Sequence, residues 1–336
     1  MTDMPRRRPT LDEVAERAGV SRSAASRVLN NAPHVSRDKR EAVQRAIREL
    51  RYVPNTTARA LATRQRGVAA LVISGETPAI FADPFFAKVI VGASAALEEA
   101  DLHLMLCLAA ADRSRQRLAE LLRARGVDGV MLMAVRENDP VLHTARETEL
   151  PVVFGGRPAG HEPPWYVDAD NVGGARRATE HLLARGRRRV VMICGPLDTQ
   201  VSRERHRGYR EAMILAGLEP LPPASGDFTE PSGATAMTEL LERHPDVDAV
   251  FAANDNMAAG ALRALRGAGR AVPHDVAVVG FDDLDIAQIT EPSLTTVRQP
   301  IQALGHETAR MLVRLIGGEE PSPLILPTRL VARSST

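Results

Sequence analysis

The chain is poor in aromatics, in cysteine and in lysine. Aromatic residues fill 3% of its 336 positions, with one Trp, three Tyr and seven Phe. Two cysteines, Cys107 and Cys194, are too few for a disulfide framework or a cysteine-based metal set. Each sits in an apolar run, LHLMLCL and VVMICG, and reads as a buried, reduced core residue. The opening MTDMPRRRPT carries positive charge without an apolar stretch behind it, so no secretory leader is expected. No apolar run is long enough to span a bilayer, and a cytoplasmic protein without membrane partners is expected. A P-loop, a strand-linked GxGxxG, an HExxH and a GxSxG are all missing. The nine histidines lack metal-ligand spacing. These absences argue against an enzyme, and no metal or cofactor is expected.

What is present is a charge asymmetry. Lys39 and Lys88 are the only lysines, so arginine supplies nearly all the basic charge. Residues 1–66 hold 15 Arg and Lys against 7 Asp and Glu, a net +8, whereas the remainder holds 28 against 35, a net −7. A basic head on an acidic body is the pattern of one small module that meets a polyanion.

The head has its own grammar. Thr10-Leu11-Asp12-Glu13 spells a capping box, and Val14, Ala15 and Ala18 form the apolar stripe of a short helix that stops at Gly19. Ser21 can cap a second helix, Arg22 to Asn30, with Ala25, Val28 and Leu29 facing inward. A third, from Ser36 to about Leu50, turns Ala42, Val43, Ala46, Ile47 and Leu50 to the same core. Helix, tight turn, helix is the arrangement that places a second helix in the major groove of DNA.

From Thr10 to Asn30 the run TLDEVAERAGVSRSAASRVLN resembles the opening motif of the LacI/GalR repressor family. The likeness continues through His34-Val35-Ser36, Tyr52-Val53-Pro54-Asn55 and Ala58-Arg59-Ala60-Leu61. It implies that Arg22, Ser23 and Arg27 read bases, with Arg27 donating a bidentate pair to guanine. It further implies phosphate contacts from Ser21, Asn30, His34 and Ser36. Residues 54–64, PNTTARALATR, match a hinge helix that folds on the operator, with Asn55 as its cap, Arg59 on the DNA and Leu61 as a wedge in the minor groove. An isolated helix this short is marginal in water, so folding coupled to DNA is reasonable.

Beyond Gly67 short apolar runs alternate with amphipathic stretches. VAALVI, LHLMLCL, GVMLM, PVVFG, RVVMICG, DAVFAAN and DVAVVGF are strand candidates, which predicts parallel sheets covered on both faces. The body resembles a type I periplasmic sugar-binding protein, two α/β lobes with ligand between them. The resulting expectation is an α/β chain in three parts: a helix-turn-helix head (1–53), a hinge (54–66) and a body (67–336). Lobe one takes about 67–168 with 297–323, and lobe two about 169–296 with 324–336.

Ligands of such sheets lie beyond the carboxyl ends of the strands. Together with the resemblance, this selects Phe85 and Phe86, Arg157, Arg203, Phe228, Asn254, Asp282 and Gln299 as effector-binding candidates. Arginine, acid and amide groups pair with hydroxyls, and phenylalanine rings cover C–H faces. The expected protein is a homodimeric repressor on a pseudo-palindromic double-stranded operator, governed by a sugar-like effector. An effector-independent regulator, or one needing a non-sugar corepressor, is the alternative. A transport binding protein would suit the body but not its helix-turn-helix head.

Overall fold

The computed structural model describes residues 9–29, 35–52, 66–74 and 83–336. The chain divides into two compact units, Met1–Arg66 and Gly67–Thr336.

In the first unit, α1 (Leu11–Arg17) is opened by the capping box: Glu13 N–H donates to the Thr10 hydroxyl at 3.3 Å, and Thr10 N–H to the Glu13 carboxylate at 2.8 Å. Gly19, at φ +66°, turns the chain into α2 (Arg22–Leu29), a backbone position that favours glycine. The third described helix is α3 (Arg37–Leu50). Val14, Ala15, Ala25, Val28, Val43 and Ala46 form the core of the unit. So small an apolar core leaves caps and turns a large share of the stability.

The second unit holds two sheets. One comprises β1 (Val68–Ile73), β2 (His103–Leu108), β3 (Gly129–Met133), β4 (Val152–Gly155), β5 (Tyr166–Ala169) and β11 (Leu324–Leu326), in the order β11-β5-β4-β3-β1-β2, all parallel. The other comprises β6 (Val190–Cys194), β7 (Ala224–Ser225), β8 (Ala249–Ala252), β9 (Ala277–Asp282), β10 (Thr295–Arg298) and β12 (Arg329–Val331), in the order β12-β10-β9-β8-β6-β7. Only β12 runs antiparallel to its neighbour. Along β1, Ala69, Leu71 and Ile73 enter one apolar cluster and Ala70 and Val72 another on the opposite face. The period of two explains why a strand buried on both sides reads as an unbroken apolar run.

Helices cover the faces: α4 (Pro84–Glu99), α5 (Asp112–Arg123), α6 (Pro140–Glu147) and α12 (Ile301–Ile316) for the first sheet, and α7 (Asn171–Ala184), α8 (Gln200–Leu215), α9 (Glu230–Arg243) and α10 (Asp255–Gly267) for the second, with α11 (Ile286–Ile289) after β9. Glycines let α4 and α12 touch backbone to backbone: a Cβ on Gly92 would fall 1.9 Å from the Gln302 carbonyl oxygen.

Among the described residues the chain passes between the sheets three times, after β5, after β10 and between β11 and β12. The sequence reading put the last passage at 323/324; the pairing of Leu324–Leu326 with β5 moves it past Leu326. A second difference concerns Cys107. It is only half-buried, because β2 is an edge strand, whereas Cys194 is buried and its thiol is pushed up to about 12 by desolvation. Among the described residues no helix is long and apolar enough to cross a membrane.

Candidate ligand cleft and nucleic-acid face

The head presents its recognition candidates on one side of α2. Ala25 and Val28 fill the core, which leaves Arg22, Ser23 and Arg27 exposed. The Ser21 hydroxyl accepts from Ala24 N–H at 3.2 Å and pairs with the Ser23 hydroxyl at 3.0 Å, so it caps the helix N-terminus. Arg22 lies 3.5 Å from Asp12 of α1, an exposed pair that is easily exchanged for another anion. Ser36 precedes α3 and is exposed, with no side-chain capping bond. Asn30, His34, Asn55, Arg59 and Leu61 lie outside the described residues, as does the hinge segment around the last three.

In the body the carboxyl ends of the strands carry a polar centre built on Arg205. This residue belongs to the second turn of α8, and its side chain is 4% exposed. Its Nε donates to Asn171 Oδ1 at 3.0 Å, Nη1 to the Ala253 carbonyl at 2.5 Å, and Nη2 lies 3.2 Å from Asp282 Oδ1. The guanidinium sits 3.7 Å from the centroid of the Phe281 ring. Asp282 ends β9 with φ +107°, a conformation seldom adopted outside glycine. It also accepts from Gln299 Nε2 at 2.6 Å. Burial pushes the Asp282 carboxyl up to about 7, although Arg205 and Gln299 pull the other way.

Asn254 caps α10, accepting from Met257 N–H and donating to the Phe228 carbonyl, both at 2.9 Å. That bond holds Phe228 in a left-handed conformation, φ +72°. Gly195, at the end of β6, leaves room for the ring, since a Cβ there would fall 2.3 Å from Phe228 Cζ. Across the cleft Phe85 and Phe86 meet edge to face at 5.3 Å and pack on the first lobe's core. The N-cap of their helix, Asp83, is raised by burial, and the charge of Arg205 acts on it.

Arg157, which follows β4, joins the two lobes. It lies over the Tyr166 ring at 5.4 Å, donates from Nε to Asp168 Oδ2 at 3.1 Å, and pairs through Nη2 with Glu204 of α8. Burial and the neighbouring Asp168 both raise the Glu204 carboxyl. At the rim, Glu137 N–H donates to the Asp198 carbonyl at 2.8 Å, and Arg136 reaches the Asp198 carboxylate at 3.1 Å.

Arg203 is placed differently from the sequence expectation. It is 40% exposed, donates to the Leu197 carbonyl at 2.6 Å and pairs with Glu137 at the rim. The guanidinium that reaches the strand ends is that of Arg205. The reason is helical phase: Ser202, Arg205, Gly208, Tyr209, Ala212 and Met213 share the buried stripe of α8, and Arg203 lies off it. Counting from the preceding glycine misses this; the apolar positions 209, 212 and 213, continued back by one turn to 205, carry it. Asp168, Asn171 and Glu204 were also missed, because their partners come from distant segments. Phe228, Asn254, Asp282 and Gln299 converge on the Arg205 side of the cleft, Phe85 and Phe86 on the other, with Arg157 between.

The pattern of "Bacterial regulatory proteins, lacI family" matches residues 10–55, and that of a "Periplasmic binding protein-like domain" matches residues 179–336. The chain is 48% identical to the HTH-type transcriptional regulator CelR of Thermobifida fusca, over 98% of this chain and 99% of that protein. It is similar to the structure of a CelR–cellobiose complex, with a TM-score of 0.79 at 46% identity over 98% of this chain and all of the other. A lac repressor dimer bound to operator and the anti-inducer ONPF gives a TM-score of 0.84 at 28% identity, covering 98% of this chain and 99% of that one. A helix-turn-helix head, a two-lobed body with a polar cleft and this full-length similarity agree: the chain belongs to the lacI family of bacterial regulatory proteins and is a DNA-binding transcription regulator, not an enzyme.

Proposed function

We propose that two copies of this chain hold a pseudo-palindromic operator in the cytoplasm, and that a sugar-like molecule bound between the lobes of each body sets the population of the DNA-competent state. The head takes residues 1–53, the hinge 54–66 and the body 67–336. Arg27 reads a guanine, while Arg22 and Ser23 set operator preference, because all three lie on the exposed side of α2. Ser21 and Ser36 face the phosphates. The assignments of Asn30, His34, Asn55, Arg59 and Leu61 to the DNA interface rest on the family resemblance alone.

The observation that carries the effector reading is the buried Arg205–Asp282 pair at the mouth of the second sheet, with Asn254, Gln299 and Phe228 beside it. Arg205 takes the gripping role expected of Arg203. A planar guanidinium beside a carboxylate offers donors and acceptors to adjacent hydroxyls, and the phenylalanines offer faces to ring C–H groups. A relative with 48% identity has a counterpart solved with cellobiose, so β-linked glucose disaccharides come first among candidates.

A thermal-shift screen of the full chain against mono- and disaccharides, followed by operator binding with each hit, tests the reading. A sugar that raises the melting temperature and changes operator affinity supports it. A panel in which no sugar does either overturns it.

A further inference from the structure

Among the described residues at the strand ends, the arginines and most helix N-termini, the two devices by which a protein usually holds an anion, are already engaged by groups of this chain; the N-termini of α8 and α12 carry no side-chain cap. The first device is an arginine. Arg157 is engaged by Asp168 and Glu204, Arg205 by Asp282, Arg203 by Glu137 and Arg298 by Asp283. A ligand phosphate that took Arg157 or Arg205 would strand a carboxylate of Asp168, Glu204 or Asp282, each at most 8% exposed, whereas Asp283 would keep Arg333 if Arg298 were taken. The second device is a helix N-terminus. Asp83 accepts Phe85 N–H at 3.0 Å at the start of α4, and Asp139 accepts Val141 N–H at 2.9 Å at the start of α6. Asp170 accepts Gly173 N–H at 2.9 Å at the start of α7, and Asn254 fills the same place on α10.

We propose that this arrangement makes the cleft selective for uncharged polyhydroxy ligands and closed to phosphorylated or carboxylated sugars. Hydroxyl groups donate to the carboxylates without disturbing the pairs, whereas an added anion meets a surplus of like charge. Arg157 is then a specificity-determining residue by virtue of its neutralisation: Asp168 and Glu204 hide a cation that would otherwise welcome phosphate. The inference rests on the sugar reading above and goes beyond it by fixing the charge of the ligand.

The test is calorimetric titration of the full chain at neutral pH with matched pairs: cellobiose and its 6-phosphate, glucose and glucose 6-phosphate. The uncharged member of a pair is expected to bind, and its phosphate to bind at least about 100-fold more weakly, the scale set by leaving a buried charge unpaired. Glu204→Gln should narrow that gap at least about tenfold by freeing the Nη2 end of Arg157, with Asp168→Asn, which frees the Nε side, as the second variant should the first fail to fold. A phosphorylated sugar that binds as tightly as its parent, or a gap unchanged in both folded variants, overturns the inference and leaves the sugar reading standing. Silence from every sugar, charged or not, overturns both.

Discussion

The guanidinium of Arg205 lies 3.7 Å from the centroid of the Phe281 ring while Asp282, the next residue of the strand, receives one of its donors at 3.2 Å. A ring face and a carboxylate from consecutive residues can grip one cation because the positive φ of Asp282 breaks the alternation of the strand. Arg205→Ala should therefore cost about 3–5 kcal/mol of stability by stranding the buried Asp282 carboxyl, and should abolish the effector response. Arg203→Ala should change stability by less than about 1 kcal/mol, as befits a rim pair 40% exposed. Chemical denaturation of both variants, with effector titration of operator binding, separates the two arginines. Equal effects would contradict the placement of Arg205 at the centre.

The pair between Arg157 and Glu204 connects a loop of the first sheet to a helix of the second. Lobe closure should be coupled to it. A double-mutant cycle with Arg157→Met and Glu204→Gln, read by denaturation of the body, is expected to give a coupling of about 1–3 kcal/mol. Adding salt should weaken the more exposed Glu137–Arg203 pair more than this one. A coupling near zero would show that the lobes close without it.

Acidity offers a third check. The Asp282 carboxyl is held at about 7 against an ordinary 3.8, so between those values the folded chain binds more protons than the unfolded one. Stability from this group is full below about pH 4, falls as pH rises, and is lost above about pH 7. Asp282→Asn should remove that decline. Glu204 and Asp255 are raised by burial in the same direction, so some slope persists in the variant. Melting temperatures of parent and variant across this range decide it; parallel curves would contradict the shift.

On the head, Arg27→Ala should reduce operator affinity by about 1–3 kcal/mol and relax preference at one base pair, while leaving the melting temperature unchanged because the side chain is exposed. Thr10→Ala should do the reverse. It removes a cap worth about 1 kcal/mol from a unit with a small core, without touching base recognition. Anisotropy titrations with single-base operator variants, beside unfolding of the head, distinguish the two.

Much of this architecture was legible because it follows from periodicity. The runs at β1 and β3 are apolar throughout since both faces of a parallel strand are covered, and Thr10 with Glu13 announces α1. β7 has only two residues, and β5, Tyr-Val-Asp-Ala, has its apolar run broken by Asp168, so neither offers a pattern to read. The cleft was half legible. Asn254, Asp282 and Gln299 stand at strand ends that the sequence marks. Arg205 was passed over for Arg203 because a motif distance was counted where the phase of a helix decides, and Asp168 and Glu204 act through Arg157, a partner 11 and 47 positions away.

The three passages between the sheets bear on how the chain acquires its form as it is made. The first sheet receives its last strand from Leu324–Leu326, although its other strands lie between Val68 and Ala169. A ribosome delivering the chain from its N-terminus has thus released the whole of the second sheet except β12 before the first can be finished. The three described helices of the head, all made by Leu50, can fold early. The first lobe must wait with an open edge beside β5 for nearly half of synthesis, and closes within a few residues of the second.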